Sequence, residues 1–350
     1  MGIIPAIKAA TINVLRTIWF FLADFEPGLH CAVARVRNSI SMRWRRTLGS
    51  GTHPASVIMM ERRYLMSKTA ILLIDCPDRK GLVAAIANFL LQEYDANVLN
   101  ADQHQDIELG LFFMRVEFST EKANCDAAQF QRLFSPLAEE LRLNWQLHFA
   151  EAPENVAIFV SQYLHCLADL LYRHQSGEFR SQISMIVSNH ENARGLAEFY
   201  NVPFHYLPTY AGIREQVEAQ QMKLLAENSV DLVVLARYMQ VLSQKFVAAY
   251  PQKIINVHHS FLPAFTGAKP YHAAFARGVK LIGATSHYVT EILDDGPIIE
   301  QDVARVSQND QLPGLIQKGR DLERMVLSRA VQWHLTRRIL CYANKTVIFA

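Results

Sequence analysis

Short apolar runs alternate with segments of helical periodicity beyond residue 153, and this alternation constrains the fold more than any other feature of the sequence. The apolar runs predict the strands Val156–Ser161, Ile183–Ser188, Val202–Leu207, Asp231–Ala236 and Ile254–Val257. The helical segments are Leu164–Arg173, Ala193–Tyr200, Arg214–Asn228 and Gln244–Tyr250, and a later helix includes Gly319–Leu335. Strands that are apolar on both faces need helices on both faces. The region therefore predicts a doubly wound, mostly parallel, Rossmann-like α/β sheet.

The region before residue 150 predicts a second, smaller α/β module. Its predicted strands are Ala70–Asp75, Ala96–His104, Leu109–Phe118 and Leu143–Phe149, and its predicted helices are Leu82–Tyr94 and Asp126–Leu141. The resulting order, βαββαβ, is that of a ferredoxin-like module. This module resembles the ACT domains, whose Asp-x-x-Gly turn after the first strand commonly contributes to an amino-acid effector site. The resemblance implies effector-binding roles for Asp78 and Gly81. The structural alternative is that Gly81 relieves a tight turn and Asp78 caps the helix.

The polar, proline-containing stretch 150–154 separates the two modules, which we place at residues 67–150 and 155–350. Residues 1–66 have a different character. Their apolar segment, Ile12–Phe25, is interrupted by Arg16 and is shorter than the roughly 20 residues of a membrane-spanning helix. A targeting peptide, a membrane-surface segment and a non-native extension from too early a start codon are the three alternatives. We favour the non-native extension, because Met66 stands directly before a clear strand-turn-helix pattern, and we expect such a leader to be poorly ordered.

The composition limits the classes of partner. A net charge of +2, with 19% charged residues, gives no extended basic field, so we expect neither nucleic acid nor a membrane as a partner. Five cysteines without a CxxC pair argue against a disulfide framework or a structural zinc site and favour the cytoplasm. These are Cys31, Cys76, Cys125, Cys166 and Cys341. We expect a small-molecule substrate.

Polar residues with catalytic chemistry follow the last predicted parallel strand. Asn256 and His258 stand at its carboxyl end, which is where ligands bind in open α/β sheets. Asp294 lies in the later segment Leu293–Ile299. An amide donates a hydrogen bond to an oxyanion, an imidazole moves a proton, and a carboxylate orients the imidazole or a water molecule. Without a covalent nucleophile, this set suits the movement of a formyl group.

Three motifs resemble the folate-dependent formyltransferases over the segment from Val156 to Phe349. They are Asn256-x-His258-x-Ser260-x-Leu262-Pro263-x-Phe265-x-Gly267, then Gly283–Val289, then Leu293-Asp294-x-Gly296-Pro297-Ile298-Ile299-x-Gln301. The leading ACT-like module, the stretch His165–Leu171 and Ser188-Asn189-His190 resemble the deformylase branch. That resemblance implies hydrolysis of 10-formyltetrahydrofolate to formate and tetrahydrofolate. It also implies a supply of formate for purine synthesis and a balance among one-carbon folate pools, with folate as substrate and no prosthetic group.

Two other functions stay open at this point. One is transfer of the formyl group to an amine or nucleotide substrate, which the missing Gly-Ser-rich phosphate loop at Val160–Leu171 disfavours. The other is a non-catalytic amino-acid sensor, which the intact Asn256, His258 and Asp294 disfavour. ACT modules usually pair, so a homo-oligomer is the default expectation.

The resemblance assigns catalysis to Asn256, His258 and Asp294. It assigns the folate pocket to Arg237, Tyr238, Met239, Gln240, Val241 and Leu242, together with His287 and Gly296. His287 is expected near Asp294, whereas His259 either joins the site or points into packing. Gln162 and Gln240 depart from residues common in relatives, so their ligand contacts stay open.

Neighbouring polar residues have simpler interpretations. Adjacent residues of a strand face opposite ways, so His258 and His259 do not form a metal site. Arg320 and Glu323 are interpreted as a modest surface pair on a charged helix.

Overall fold

The computed structural model describes residues 69–120, 126–149, 153–210, 212–263 and 270–350. The expectations for the leader at 1–66 lie outside these residues. Residues 66–350 form one compact unit, which holds all three sheets. Within the described residues, no helix is both long enough and apolar enough to cross a membrane.

The first sheet belongs to the N-terminal module and is antiparallel. Its strands are β1 (Thr69–Pro77), β2 (Val98–Asp106), β3 (Leu111–Ser119) and β4 (Asn144–Phe149), in the order β2-β3-β1-β4. Helices α1 (Leu82–Tyr94) and α2 (Ala127–Leu141) cover one face and enclose an aromatic core. Asp126 caps α2 by accepting a hydrogen bond from the backbone N–H of Gln129. The ferredoxin-like order is confirmed, with bounds within two residues of those predicted.

The turn after β1 differs in one detail from the structural alternative considered above. Gly81 stands before α1 with φ of 93°, a left-handed conformation that glycine adopts without a steric penalty. Asp78 does not cap the helix, since α1 has no side-chain cap. Its carboxylate instead accepts a hydrogen bond from Nε2 of Gln105 on β2. Asp78 is thus tied to a strand, and the first turn of α1 keeps its N–H groups available.

The second sheet has seven strands in the order β11-β10-β9-β8-β5-β6-β7. Its parallel strands are β5 (Glu154–Val160), β6 (Ser181–Ser188), β7 (Phe204–Tyr206), β8 (Leu232–Ala236) and β9 (Ile254–His258). The connecting helices are α3 (His165–Gln175), α4 (Arg194–Phe199), α5 (Arg214–Glu227) and α6 (Gln244–Ala249). Two apolar cores pack on opposite faces of the strands. The doubly wound prediction is confirmed, again within two residues at each bound.

The C-terminal part adds elements that the apolar pattern indicates only weakly. Helix α7 (Pro270–Arg277) precedes β10 (Leu281–Tyr288) and β11 (Ile298–Arg305), which extend the sheet in antiparallel fashion. Helix α8 (Leu312–Leu335) begins seven residues before the predicted Gly319. A hairpin of β12 (Ile339–Tyr342) and β13 (Lys345–Ile348) ends the fold.

Candidate active site

Two neighbouring strands place three polar side chains on one face of the second sheet. Asn256 and His258 are two residues apart on β9, so their side chains leave the same face of the strand. The antiparallel pairing of β9 with β10 sets His287 directly opposite Asn256. Residues opposite each other in an antiparallel pair have side chains in contact. The predicted proximity of His287 to the site is therefore a consequence of strand register.

Asp294 reaches these side chains from the loop that follows β10. Its Oδ2 lies 3.1 Å from Nδ1 of His258, and its Oδ1 lies 3.6 Å from Nε2 of His287. Asp294 has φ of 55°, a left-handed conformation that Asp tolerates better than most residues. Gly296 allows the loop to close, because a Cβ there would lie 1.8 Å from the carbonyl oxygen of Tyr288. The structure thus brings Asn256, His258, Asp294 and His287 together.

The hydrogen bonds around His287 determine which N–H of the Asn256 amide remains for a ligand. Nδ1 of His287 lies 2.9 Å from the carbonyl oxygen of Tyr288, which only accepts, so Nδ1 carries the proton. Nε2 of the neutral ring then accepts a hydrogen bond from Nδ2 of Asn256, at 3.3 Å. The amide nitrogen has two protons. Asn256 therefore keeps its second N–H for a ligand while His287 fixes the orientation of the side chain.

Asp294 is an ionised carboxylate at neutral pH. The hydrogen bond from His258 is the main cause that lowers the pKa of Asp294 well below its usual range. Burial acts in the opposite direction and is outweighed. An ionised Asp294 accepts a hydrogen bond from the N–H at Nδ1 of His258. This bond favours the tautomer in which Nε2 carries no proton.

Nε2 of His258 can still accept a hydrogen bond. It is buried and has no hydrogen-bond partner among the described residues. A buried polar atom without a partner costs free energy unless a ligand or water supplies one. The arrangement resembles that of a general base, since a carboxylate orients the ring through one nitrogen and the other nitrogen has no partner among the described residues.

The predicted folate loop begins beside this site. Strand β8 pairs with β9 in parallel, with Leu235 opposite Asn256, so residues 237–242 leave the sheet next to the catalytic side chains. The hydroxyl of Ser161 fixes the loop, because it accepts a hydrogen bond from the N–H of Met239 at 3.0 Å and donates to Oδ1 of Asn189 at 2.7 Å. Met239 and Val241 are exposed and available to a ligand.

Two residues of that loop direct their side chains elsewhere. Tyr238 is buried against Phe159, and its hydroxyl accepts a hydrogen bond from Nε2 of Gln221 at 2.9 Å. The guanidinium of Arg237 is buried beside Glu323, with Nε 3.4 Å from Oε2. Both side chains are therefore engaged within the protein, and the predicted folate-binding roles of Arg237 and Tyr238 stay predictions. The predicted binding roles of Gln240 and Leu242 stay predictions.

A second polar cluster, which sequence reasoning missed, is centred on Glu323 of α8. Glu323 is 1% exposed, so its interpretation as half of a surface pair with Arg320 was wrong. Its Oε2 lies 2.7 Å from Nε2 of His165, and its Oε1 accepts a hydrogen bond from the hydroxyl of Tyr271 at 2.7 Å. A Cβ at residue 319 would lie 2.1 Å from the ring of Tyr271, so only a glycine leaves room for that ring. Gly319, four residues before Glu323, was the available sequence signal.

His165, Cys166 and Glu323 place ligand-type atoms within 4.8 Å of one another, but their chemistry does not fit a metal site. Both oxygens of Glu323 already bind protein groups. Burial raises the pKa of Cys166 well above its usual value, whereas a metal ligand must be a thiolate. The three side chains are part of an internally satisfied network.

His259 lies between the two clusters. Its ring centre is 5.1 Å from that of His258 and 6.2 Å from that of Tyr271, and the side chain is buried. The packing interpretation of His259 agrees with this position.

Comparison with known proteins gives one consistent result. Residues 154–331 match the formyl transferase family. The formyltetrahydrofolate deformylase of Synechocystis is 49% identical over 286 residues, which are 82% of this chain and all of that protein. The Bacillus subtilis protein of the same name is 49% identical over 279 residues, or 79% of this chain and 93% of that protein.

A solved structure extends the similarity to both modules. The crystal structure of a formyltetrahydrofolate deformylase from Pseudomonas syringae pv. tomato has a TM-score of 0.78 and 42% identity, and the match covers 85% of this chain and all of that one. A match of this extent includes residues on both sides of the 150–154 boundary. The chain therefore belongs to the formyltetrahydrofolate deformylases, within the formyl transferase family.

Proposed function

We propose that this protein hydrolyses 10-formyltetrahydrofolate to formate and tetrahydrofolate, with folate as its substrate rather than a prosthetic group. The observation that carries the proposed mechanism is the buried, unpartnered Nε2 of His258, whose Nδ1 is held by Asp294. Transfer to an amine or nucleotide is not favoured, because relatives of 49% identity are named as deformylases.

In the first step, water attacks the formyl carbon. Nε2 of His258 takes one proton from that water as the new C–O bond forms, and Asp294 stabilises the resulting imidazolium. The free N–H of Asn256 donates to the oxyanion. Asn256 is suited to this because His287 already fixes its amide at 3.3 Å.

In the second step, the tetrahedral intermediate collapses and the bond from carbon to N10 of the folate breaks. The imidazolium of His258 returns its proton to N10, so tetrahydrofolate leaves as a neutral amine. The second proton of the water is lost from formic acid, which gives formate. These two steps require no metal ion and no covalent bond between the enzyme and the substrate.

The substrate is expected to bind where β8, β9 and the 289–296 loop meet. The exposed Met239 and Val241 supply apolar contacts for the pterin, and backbone groups of residues 237–242 and of Gly296 read its polar edge. Asn189 and Ser161 support this loop from behind.

We further propose that the N-terminal module binds an amino acid at the 77–81 turn. All five residues of that turn are exposed. The Asp78 carboxylate, beside the amide of Gln105, suits an ammonium group, and the uncapped N-terminus of α1 after Gly81 suits a carboxylate.

The proposed assembly is a homo-oligomer located in the cytoplasm. Strand β2 is an edge strand with most of its side chains exposed, and it presents Leu99 to solvent or to a second copy, while Ile107 and Leu109 are exposed in the turn that follows it. The described Cys76, Cys166 and Cys341 are free thiols, as a reducing compartment would keep them.

The test is a product assay on the purified chain with 10-formyltetrahydrofolate and water as the sole acceptor. We expect formate and tetrahydrofolate in equal amounts, and an altered rate when free amino acids are added. Formation of a formylated amine, with no formate released in its absence, would assign the chain to formyl transfer instead.

A further inference from the structure

The C-terminal hairpin contacts the loop that carries Asp294. Its two strands, β12 and β13, are joined by Ala343 and Asn344, which have φ of 40° and 59°. Two successive left-handed residues define the tight turn that suits a right-handed strand twist. The turn fixes where the side chain of Asn344 and the following strand β13 lie.

Two side chains of the hairpin donate hydrogen bonds to the catalytic loop. Nδ2 of Asn344 donates to the carbonyl oxygen of Asp295 at 2.8 Å, and Oγ1 of Thr346 donates to that of Ile298 at 2.6 Å. These two carbonyls flank Gly296 and Pro297, and Asp295 directly follows Asp294. The hairpin therefore holds the loop on the C-terminal side of the catalytic carboxylate.

The loop itself has few backbone bonds near Asp294. The N–H of Asp295 reaches the carbonyl oxygen of Ile292 only at 3.4 Å, and the N–H of Tyr288 reaches that of Pro297 at 3.0 Å. Asp294 also has a left-handed backbone conformation that a longer regular element would not supply. The alignment of its carboxylate with His258 thus depends on contacts from outside the loop.

The opposite side of the hairpin is anchored in the N-terminal module. An apolar cluster joins the two, formed by Leu73, Phe113, Leu340, Val347 and Phe349. The ring of Tyr342 packs on that of Phe113 with centres 4.5 Å apart, and its hydroxyl donates to Oδ2 of Asp106 at 3.1 Å. Asp106 ends β2, and Phe113 belongs to β3.

A buried arginine adds a second anchor at the root of the hairpin. Nε of Arg115, on β3, donates to the carbonyl oxygen of Arg337 at 3.0 Å, and its guanidinium also pairs with Glu117. Residue 337 lies between α8 and β12. The hairpin is therefore held at its base and along one face by the N-terminal sheet, while its turn and β13 hold the catalytic loop.

We propose that Asn344 and Thr346 are positioning residues for Asp294, and that the hairpin carries the state of the N-terminal module to the catalytic carboxylate. The inference rests on the proposed hydrolysis. A displacement of about 1 Å at a catalytic group is enough to lower a rate on the order of 100-fold. Contacts that hold the loop thus act on turnover without touching the substrate.

The experiment uses matched variants of the full chain. Thr346→Val removes the hydroxyl but keeps the branched shape, and Thr346→Ser keeps the hydroxyl. Asn344→Gly removes the amide and suits the left-handed turn, and Ala343→Gly changes the same turn without removing a contact to the loop.

We expect kcat to fall about 10-fold in Thr346→Val and in Asn344→Gly, and further in the double variant. The KM for 10-formyltetrahydrofolate should stay within about twofold, and the melting temperature of Asn344→Gly should not fall, because glycine suits its backbone. Thr346→Ser and Ala343→Gly should keep near-normal turnover. Tyr342→Phe, which loses only the bond to Asp106, should lower kcat about threefold by loosening the anchor.

Normal turnover in both Thr346→Val and Asn344→Gly overturns the positioning role, as does an equal loss in Thr346→Ser and Ala343→Gly. Normal turnover in Tyr342→Phe overturns the link to the N-terminal module. The wild-type product assay alone tests hydrolysis. The role of the hairpin is tested by the ratio of kcat in each variant to kcat in the wild type. Both are measured with water or with whichever acceptor the wild type uses.

Discussion

Two histidine–carboxylate pairs lie in the C-terminal module, each with one buried and one half-buried partner, and they differ in which polar atoms have hydrogen-bond partners. In the first, His258 binds Asp294 through Nδ1, and its Nε2 has no partner among the described residues. In the second, His165 binds Glu323, whose other oxygen accepts from Tyr271. The residue types are alike, but only in the first pair is a ring nitrogen both buried and without a partner among the described residues.

The charge around each carboxylate gives the same contrast. Burial alone would raise the pKa of Glu323, but the hydrogen bond from His165 and the charge of Arg237 together lower it, so the carboxylate is compensated on every side. Asp294 has its pKa lowered chiefly by the hydrogen bond from His258, which is the proposed base. Both oxygens of Glu323 have protein partners, which is typical of a structural network, whereas Nε2 of His258 has none among the described residues, which is typical of a group that contacts a ligand.

The largest expected effect comes from Asp294→Asn. The amide keeps the shape but no longer stabilises the imidazolium, and it allows the wrong tautomer of His258. We expect kcat to fall on the order of 1,000- to 10,000-fold. Steady-state formate release measures this, with circular dichroism as the control for folding. A folded variant with turnover near that of the wild type would mean that the pair is structural, like the one at Glu323.

Asn256→Asp should have the next largest effect. It places a negative charge where the oxyanion develops and removes the N–H donor that His287 now orients. Loss of one such donor typically lowers turnover on the order of 100- to 1,000-fold. Asn256→Ser, which keeps a neutral donor, is the matched control and should retain more activity. Similar rates for the two variants would contradict the oxyanion role.

Glu323→Gln tests the other side of the comparison. The change leaves Arg237 buried without its counter-charge, and breaking a buried pair in this way costs about 3 kcal/mol or more. We therefore expect a clear loss in the free energy of unfolding, measured by urea titration, while the folded fraction keeps most of its turnover. If Glu323→Gln were as stable as the wild type and lost as much kcat as Asp294→Asn, the Glu323 cluster would be catalytic rather than structural.

The sequence predicted the first cluster better than the second, and the reason is physical. Asn256 and His258 follow a continuous apolar strand, so the end of that strand marked them as site residues. Asp294 was brought to them only by the resemblance to the formyltransferases. His287 needed the register of β9 against β10, which depends on long-range pairing that periodicity does not specify.

The Glu323 cluster escaped prediction because local spacing indicates a helix without showing which charged residue faces the core. Arg320 and Glu323 are three residues apart, which suits a surface pair equally well. Burial of Glu323 follows from partners on α3, the 237–242 loop and α7, none of them near it in the sequence. The end hairpin escaped for a similar reason, because each of its strands has only four residues.

His334 offers the smallest and most selective test, because it is a third buried imidazole beside a carboxylate. Its Nδ1 lies 2.7 Å from the hydroxyl of Tyr288, and its Nε2 lies 3.5 Å from Oε2 of Glu154. Burial, followed by the charge of Arg337, lowers the pKa of His334 from 6.5 to about 3. The folded chain therefore keeps this ring neutral at pH values where the unfolded chain protonates it.

The sign of the pH dependence follows from that difference. As the pH falls below 6.5, the unfolded state binds a proton at His334 that the folded state does not, so the stability contributed by this residue should fall, with a slope that approaches about 1.4 kcal/mol per pH unit. His148, whose pKa burial lowers to about 4, should add a loss in the same range, which is common to both chains compared below. Asp294, whose pKa is lowered, contributes a loss only near and below its usual value of 3.8. Urea titrations of the wild type and of His334→Gln at pH 6.5 and 5.5 separate the two groups. The stability gap between them should narrow by about 1 kcal/mol, because the unfolded imidazole is already half protonated at pH 6.5 and glutamine does not titrate. If the stabilities of the two chains instead changed in parallel with pH, His334 would be protonated in the folded state. This imidazole would then be a charged group with hydrogen-bond partners, and the comparison between imidazoles with and without partners would have to include charge.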